Sequence, residues 1–138
     1  MYIYRWKKWL TEYYKFDSGS EKDFAVSLEN DRKVLHWLRP ARDQFDLQYK
    51  YEGIIHAYEP DFVVETADTC YLVEIKRRSE MTDLQVVAKR DRGVSYCKLA
   101  TKWCIANHHK SWKYLFIPPD AITETTSFDA YLANFIVD

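Results

Sequence analysis

The aromatic residues at the start of the chain recur with the spacing of a helix face. They lie three to four positions apart within the first sixteen residues: Trp6, Trp9, Tyr13 and Phe16. This spacing predicts an amphipathic helical extension over residues 1–16. Residues 17–20 are typical of a turn and a helix N-cap, so a second helix is expected to begin near Glu21 and to bury Phe24 and Leu28.

Short apolar runs separated by polar turns follow, which is the pattern of β-strands. Strands are predicted at residues 34–38, at 45–49, from about 54 to 64, and at 70–76. A polar turn at 66–69 joins the last two strands, so they are expected to form a hairpin.

The second half predicts a long helix, a strand and a short helix. The long helix begins near Thr82, which suits an N-cap, and runs to about Asn107, with Gly93 as a point of interruption. A strand at 112–117 ends at two prolines, and Ser127 suits the cap of a tail helix. The order of elements predicts an α/β fold with a mixed sheet.

The composition fits one globular domain and excludes several function classes. The chain has 138 residues, of which 47% are apolar and 30% charged, enough for a core in a single domain. We divide it into an extension (1–16), a core (17–119) and a tail helix (120–138). The three glycines lie far apart, which excludes a phosphate-binding P-loop and a dinucleotide-binding fingerprint.

The net charge and the cysteine content indicate the cellular compartment but no particular binding partner. Twenty basic and 21 acidic residues give a net charge of −1, so overall charge does not indicate nucleic acid. No apolar run approaches the ~20 residues that span a bilayer, so no membrane contact is expected. The three cysteines lack CxxC spacing, which argues against a zinc site and a disulfide framework and favours the cytoplasm.

Candidate chemistry lies in the predicted hairpin. If the turn at 66–69 is centred between its two middle residues, opposed residues have numbers that sum to 135 and Asp61 faces Glu74. Lys76 falls on the same face because alternate strand residues point the same way, and Glu65 shares it nearer the turn. Opposed carboxylates repel, and a divalent ion such as Mg²⁺ would turn that repulsion into binding. Alternatively, Lys76 or an arginine simply neutralises the pair.

Pro60-Asp61 and Glu74-Ile75-Lys76, each associated with an apolar strand, resemble the motif of PD-(D/E)xK nucleases. The resemblance implies a restriction-endonuclease-like αβββαβ core with a mixed central sheet flanked by helices. It also implies that Asp61, Glu74 and the Ile75 backbone carbonyl hold Mg²⁺, with Mn²⁺ as a substitute. Lys76 would then orient or activate the attacking water.

Residues 16–119 resemble, more specifically, the C-terminal endonuclease domain of type III restriction enzyme Res subunits. The segments that carry this resemblance include Phe16-Asp17-Ser18, Glu21, Phe24-Ala25, Trp37, Pro60-Asp61-Phe62-Val63-Val64, Leu72-Val73-Glu74-Ile75-Lys76, Lys89, Trp103-Cys104 and Trp112-Lys113-Tyr114. The resemblance implies a DNA endonuclease of a restriction-modification system. Its partners would be DNA, a helicase or translocase region and a modification subunit, and a homodimer would allow both strands to be cut.

The chain also departs from that family. Res subunits carry a helicase motor with a P-loop, which is absent here, so an excised domain or a stand-alone relative is expected. Arg77 stands where the family often has glycine after the motif lysine.

Four further residues are weaker candidates. Glu21 is an additional metal ligand or an ordinary first-turn carboxylate favoured by the helix dipole. Gln85 and Lys89 lie four apart on the long helix and face the scissile phosphate or belong to an exposed helix face. Arg77 is a candidate DNA contact.

Two other functions stay open at this point. One is a different PD-(D/E)xK nuclease that acts in recombination, at junctions or at transposon ends. The other is a non-catalytic DNA-binding or docking module, whose aromatic N-terminus and tail contact a larger assembly.

Overall fold

A computed structural model describes residues 2–4, 13–16, 18–41 and 44–138. In chain order, the regular elements are β1 (Tyr2–Tyr4), β2 (Tyr13–Lys15), α1 (Gly19–Glu29), β3 (Val34–Leu38), β4 (Gln48–Tyr51), β5 (Ile54–Ala57), β6 (Phe62–Thr66), β7 (Thr69–Ile75), α2 (Leu84–Ala106), β8 (Ser111–Ile117), α3 (Phe128–Phe135) and β9 (Ile136–Val137). Short 3₁₀ turns lie at Arg78–Glu80 and Pro119–Ala121. The described residues thus form a mixed α/β fold with three α-helices.

The main sheet has five strands in the order β3-β6-β7-β8-β9. The pairs β3–β6, β6–β7 and β8–β9 are antiparallel, whereas β7 and β8 are parallel. A parallel pair needs a long crossover connection, and α2 supplies it. The mixed sheet predicted from the order of elements is therefore confirmed.

Both faces of the sheet are covered, which explains why β7 is an almost continuous apolar run. On one face, α1 and α3 pack on Val64, Val73 and Leu115. On the other, α2 and residues of the β4–β5 region pack on Leu72 and Tyr114. The strand pair β4–β5 forms a separate two-stranded sheet.

The register predicted for the central hairpin is confirmed. Phe62 pairs with Val73 and Val64 pairs with Tyr71, as expected for a turn centred between residues 67 and 68. Asp61 lies immediately before β6, while Glu74 lies within β7. The hairpin therefore brings the two motif segments to the same end of the sheet.

The predicted N-terminal helix is wrong for the residues that the structure describes. Tyr2–Tyr4 and Tyr13–Lys15 form an antiparallel strand pair, β1 with β2. Aromatic and β-branched residues favour strands, and the helical spacing rested on few positions. Residues 5–12, which include Trp6 and Trp9, lie outside the described part of the chain.

The strand predicted from 54 to 64 is two strands, β5 and β6. Pro60 lies between them and has no N–H to donate to a sheet ladder. The two strands consequently belong to different sheets. The long helix is capped by Asp83 rather than Thr82, because the Asp83 side chain accepts the N–H groups of Gln85 and Val86.

Gly93 does not interrupt α2. The helix continues through it, and a Cβ at this position would collide with the ring of Tyr114 on β8. Glycine therefore permits close approach of helix and sheet here. The tail helix is capped by Ser127 as predicted, and β9, which was not predicted, follows it. No helix among the described residues has the length and hydrophobicity that a bilayer crossing requires.

Candidate active site

A pocket of about 550 Å³ opens where the first turn of α1 meets the start of β6 and the end of β7. Its lining includes the three motif residues together with an acidic residue of α1: Glu21, Asp61, Glu74 and Lys76. Ile75, Arg77 and Glu80 also line it. The hairpin register and the position of α1 together produce this convergence.

The Asp61 carboxylate is held by the backbone of the neighbouring strand. Its Oδ2 atom accepts the N–H of Ile75 at 2.8 Å. Burial raises the pKa of Asp61 to about 6, although the hydrogen bond from Ile75 opposes the shift. The charge of Glu21 raises this pKa further, while Arg39 and Lys76 lower it. The nearby cations therefore do not cancel the effect of burial.

Glu74 is more deeply buried, with 6% of the residue exposed. Burial, followed by the negative charge of Asp61, raises its pKa to about 8. Lys89 and Lys76 oppose this shift, as does a hydrogen bond from Tyr58. At neutral pH the carboxyl pair therefore retains a proton that a bound cation could displace.

Lys76 completes the motif at the pocket. Its backbone N–H donates to the carbonyl of Ile117 at 3.1 Å, which extends the β7–β8 pairing by one residue. The side chain is partly buried and lowers the pKa of both motif carboxyls. The structure thus brings Asp61, Glu74 and Lys76 together, as the hairpin geometry predicted.

Glu21 also reaches the pocket, but both of its carboxylate oxygens have protein partners. Oε1 pairs with Arg39 at 2.7 Å, and Oε2 accepts the Ser18 hydroxyl at 3.3 Å. The Arg39 guanidinium lies over the rings of Phe16 and Phe62, at 5.3 and 5.4 Å from their centroids. The ion pair of Arg39 is thus with Glu21 and not with the Asp61–Glu74 pair that an arginine was expected to neutralise.

The three weaker basic and amide candidates divide into two groups. Arg77 lines the pocket and is exposed. Gln85 and Lys89 do not line it. Gln85 donates to the Tyr49 hydroxyl at 2.8 Å, and the Lys89 ammonium lies over the rings of Tyr49 and Tyr58.

Sequence reasoning missed Arg39 and the neighbours of Glu74 inside the protein. Tyr58 donates to Glu74 Oε2 at 3.2 Å, and its hydroxyl lies 2.7 Å from that of Tyr114. The parallel register aligns Leu72 with Tyr114, which places Tyr114 on the same face as Glu74. Extending the alternation to the next strand would have identified Tyr114, whereas nothing in the local pattern marks Arg39.

Burial and the charge of Glu74 raise the pKa values of Tyr58 and Tyr114 well above the ordinary value. Both hydroxyls therefore keep their protons at neutral pH and can donate hydrogen bonds. Tyr58 consequently presents a protonated phenol to Glu74 from inside the protein, with the Tyr114 hydroxyl behind it.

The described residues contain no group of three or more His, Cys, Asp or Glu side chains placed to hold a metal ion. Magnesium needs only one or two protein carboxylates, because it keeps several water ligands. Asp61 and Glu74 are therefore the candidate ligands, and a zinc-type centre is not formed by the described residues. The chain has no match among protein-family models, curated proteins or solved structures.

Proposed function

We propose that the protein is a Mg²⁺-dependent DNA endonuclease with a restriction-endonuclease-like core. The observation that carries the proposal is one pocket holding Asp61, Glu74 and Lys76, with both carboxyl pKa values raised. Carboxylates held close together against their mutual repulsion are typical of functional sites. A divalent cation would relieve that repulsion.

The fold supports the same proposal. The elements α1, β3, β6, β7, α2 and β8 follow one another in the order αβββαβ, with β4 and β5 as an insertion outside the main sheet. This order agrees with the core that the sequence motif implies. Asp61 and the Glu74-Ile75-Lys76 segment lie at the beginning of one central strand and the end of its neighbour.

The residues present fit a magnesium ion. Asp61 Oδ2 is engaged by the N–H of Ile75, and Glu74 Oε2 by Tyr58, so we assign Asp61 Oδ1 and Glu74 Oε1 to the ion. The Ile75 carbonyl is the third protein ligand in this proposal. Glu21, with its ion pair to Arg39, is more suitable for holding the site together than for direct ligation.

In the proposed reaction, water attacks the phosphorus and the bond to the leaving oxygen of the DNA backbone breaks. When bound, Mg²⁺ polarises the phosphate and makes the attacking water more acidic. Asp61 and Glu74 hold the ion, while the Lys76 ammonium orients the water or stabilises the negative charge that develops on the phosphate. Arg77, at the exposed rim, contacts the DNA backbone.

The more specific proposal is a cleavage domain of a type III restriction-modification system that acts in the cytoplasm. DNA recognition would then belong to a modification subunit and movement along DNA to a helicase or translocase region. A net charge of −1 agrees with a domain that receives its substrate from partners. Homodimer formation would supply the second active site for a double-strand cut.

Incubation of the purified chain with supercoiled plasmid, linear duplex, branched DNA and single-stranded DNA tests the proposal. With Mg²⁺ or Mn²⁺ we expect cleavage, and Lys76→Ala should reduce its rate at least ~100-fold without loss of fold. Asp61→Ala should reduce cleavage as strongly and also weaken metal binding. Lys113→Ala, an exposed lysine toward the other end of β8, is the matched control and should cleave normally.

Unchanged cleavage in both the Lys76 and Asp61 variants would contradict the site assignment. Cleavage restricted to branched DNA would favour the junction-enzyme alternative. DNA binding without cleavage in either metal would instead favour the non-catalytic module.

A further inference from the structure

A chain of two buried tyrosines leads from the middle of α2 to the Glu74 carboxylate. Tyr58 and Tyr114 are each 1% exposed, and their hydroxyl oxygens lie 2.7 Å apart. The Tyr58 hydroxyl also lies 3.2 Å from Glu74 Oε2, to which it donates. Neither tyrosine lines the pocket, so they contact the site only through Glu74.

The direction of the hydrogen bonds follows from the chemistry of the groups. A phenol has one proton to donate, and once a bound cation has displaced the carboxyl proton, the ionised Glu74 can only accept. Because the Tyr58 hydroxyl donates its hydrogen bond to Glu74, the hydrogen bond between the two phenols must run from Tyr114 to Tyr58. Each of the two hydroxyls therefore donates one hydrogen bond. The bond from Tyr58 to Glu74 is strengthened by the bond that Tyr58 accepts from Tyr114.

Both tyrosine rings are held in place by packing on several sides. The backbone N–H of Tyr58 donates to the Leu47 carbonyl at 2.8 Å, and its ring contacts that of Tyr49 edge to face. The Tyr114 ring lies against α2 at Gly93, where the absence of a side chain permits the approach. Neither hydroxyl can move without disturbing this packing.

We propose that Tyr58, supported by Tyr114, is a positioning residue that aims the Glu74 carboxylate at the metal. The Tyr58 hydroxyl engages Oε2 and thereby directs Oε1 toward the pocket. This inference rests on the proposed function, because it assigns Glu74 as a metal ligand. Partners that orient metal ligands in this way typically contribute a 10- to 100-fold effect on affinity or activity.

The test measures Mn²⁺ affinity of the full chain by isothermal titration calorimetry, together with plasmid cleavage. Tyr58→Phe keeps the ring and removes the donor, so Kd for Mn²⁺ should rise about tenfold. Its kcat should fall while KM for DNA stays unchanged, because no proposed DNA contact is altered. Tyr114→Phe leaves the Tyr58 donor in place and should raise Kd only ~2–4-fold, since it removes the strengthening bond alone.

The matched control is Tyr131→Phe. Tyr131 is also 1% exposed, and its hydroxyl lies 3.0 Å from that of Ser27 on the opposite face of the sheet. This variant loses a buried hydroxyl of the same kind, and its Mn²⁺ affinity should equal that of the wild type. Thermal denaturation of each variant identifies the temperature range in which it is folded, and affinities are compared within that range.

The results separate this inference from the proposed function. If the wild type binds Mn²⁺, Asp61→Ala does not, and Tyr58→Phe binds as tightly as the wild type, the positioning role is overturned while the metal site stands. A Tyr131→Phe affinity reduced as much as that of Tyr58→Phe would likewise overturn it. Equal weak binding by the wild type and Asp61→Ala would refute the metal site and this inference with it.

Discussion

The two ends of the β6–β7 hairpin hold carboxylates in opposite electrostatic states. Near the turn, Glu65 pairs with Lys110 and His36, each at 2.8 Å, and these partners lower its pKa. At the far end, Asp61 and Glu74 have raised pKa values despite cations nearby. Glu65 lies in β6, Asp61 lies directly before it, and Glu74 lies in the paired strand β7.

The difference separates a carboxylate whose charge is satisfied inside the protein from the two that we propose to be functional. Glu65 is about one third exposed and has a protein partner for each oxygen, His36 Nδ1 at Oε1 and the Lys110 ammonium at Oε2, so its charge is satisfied within the protein. Glu74 is buried and receives one neutral donor, Tyr58, while its nearest acidic neighbour disfavours its charge. In the described part of the chain, Lys110 therefore forms an ion pair with Glu65, whereas Lys76 and Lys89 lower the pKa of Glu74 without forming an ion pair with it.

The largest expected effect on stability comes from Glu74→Gln. The raised pKa values mean that the folded state holds these protons more tightly than the unfolded chain. Stability from these groups is thus greatest at low pH and is lost as the pH rises toward about 8, the pKa of Glu74. Removing the ionisable group should stabilise the metal-free protein by about 1–3 kcal/mol at pH 8 and very little at pH 4.

Urea denaturation of wild type and Glu74→Gln at both pH values, with a metal chelator present, measures this effect. Excess Mg²⁺ should reverse the order at pH 8, because only the wild type has the complete ligand pair. An equal gain at both pH values would show that ionisation of Glu74 is not the cause.

Gly93→Ala should have an effect of similar size, and it acts through Tyr114, whose hydroxyl lies against that of Tyr58 beside Glu74. Alanine normally stabilises a helix by roughly 1 kcal/mol relative to glycine. Here the added methyl group collides with the Tyr114 ring, so we expect a net loss of about 1–3 kcal/mol. Thermal unfolding would measure the loss, and Ser95→Ala, at an exposed position of the same helix, is the control. A more stable Gly93→Ala protein would contradict the close packing of Tyr114.

Glu65→Gln should have the smallest effect and tests the near end of the hairpin. Its contacts with Lys110 and His36 are partly exposed, so their loss should cost at most about 1 kcal/mol. Because the pKa of Glu65 is lowered, this contribution is present above its unfolded pKa and is lost as the pH falls through the folded one. Unfolding at low and high salt should show a smaller difference at high salt, and cleavage should remain unchanged.

Much of the site could be predicted from the sequence because its geometry is local. The turn at 66–69 and the alternation of the flanking strands specify the register, and the register brings Asp61 and Glu74 to one end. Lys76 follows from the same alternation. No knowledge of the rest of the fold was needed for these three residues.

The N-terminal segment and the strand containing residue 54 were mispredicted for a different reason. Spacing over few aromatic positions cannot decide between helix and strand, and Tyr2–Tyr4 pairs with Tyr13–Lys15. The strand Ile54–Ala57 pairs with Gln48–Tyr51 in its own sheet, and Pro60 precedes the strand that joins the main sheet. In both regions the secondary structure depends on strand pairing, which the local sequence pattern does not specify.

The amino-acid sequence was enough to predict the β6–β7 hairpin, the Ser127 cap of the tail helix, and the convergence of Asp61 and Glu74 with Lys76. Each of these depends on interactions between residues close in sequence, where few alternatives compete. Packing of distant segments decided the rest: Arg39 reached Glu21, Tyr114 reached Tyr58, and the local environment set the charge of Glu74. A carboxylate's ionisation depends on everything that surrounds it, and only the folded chain defines those surroundings.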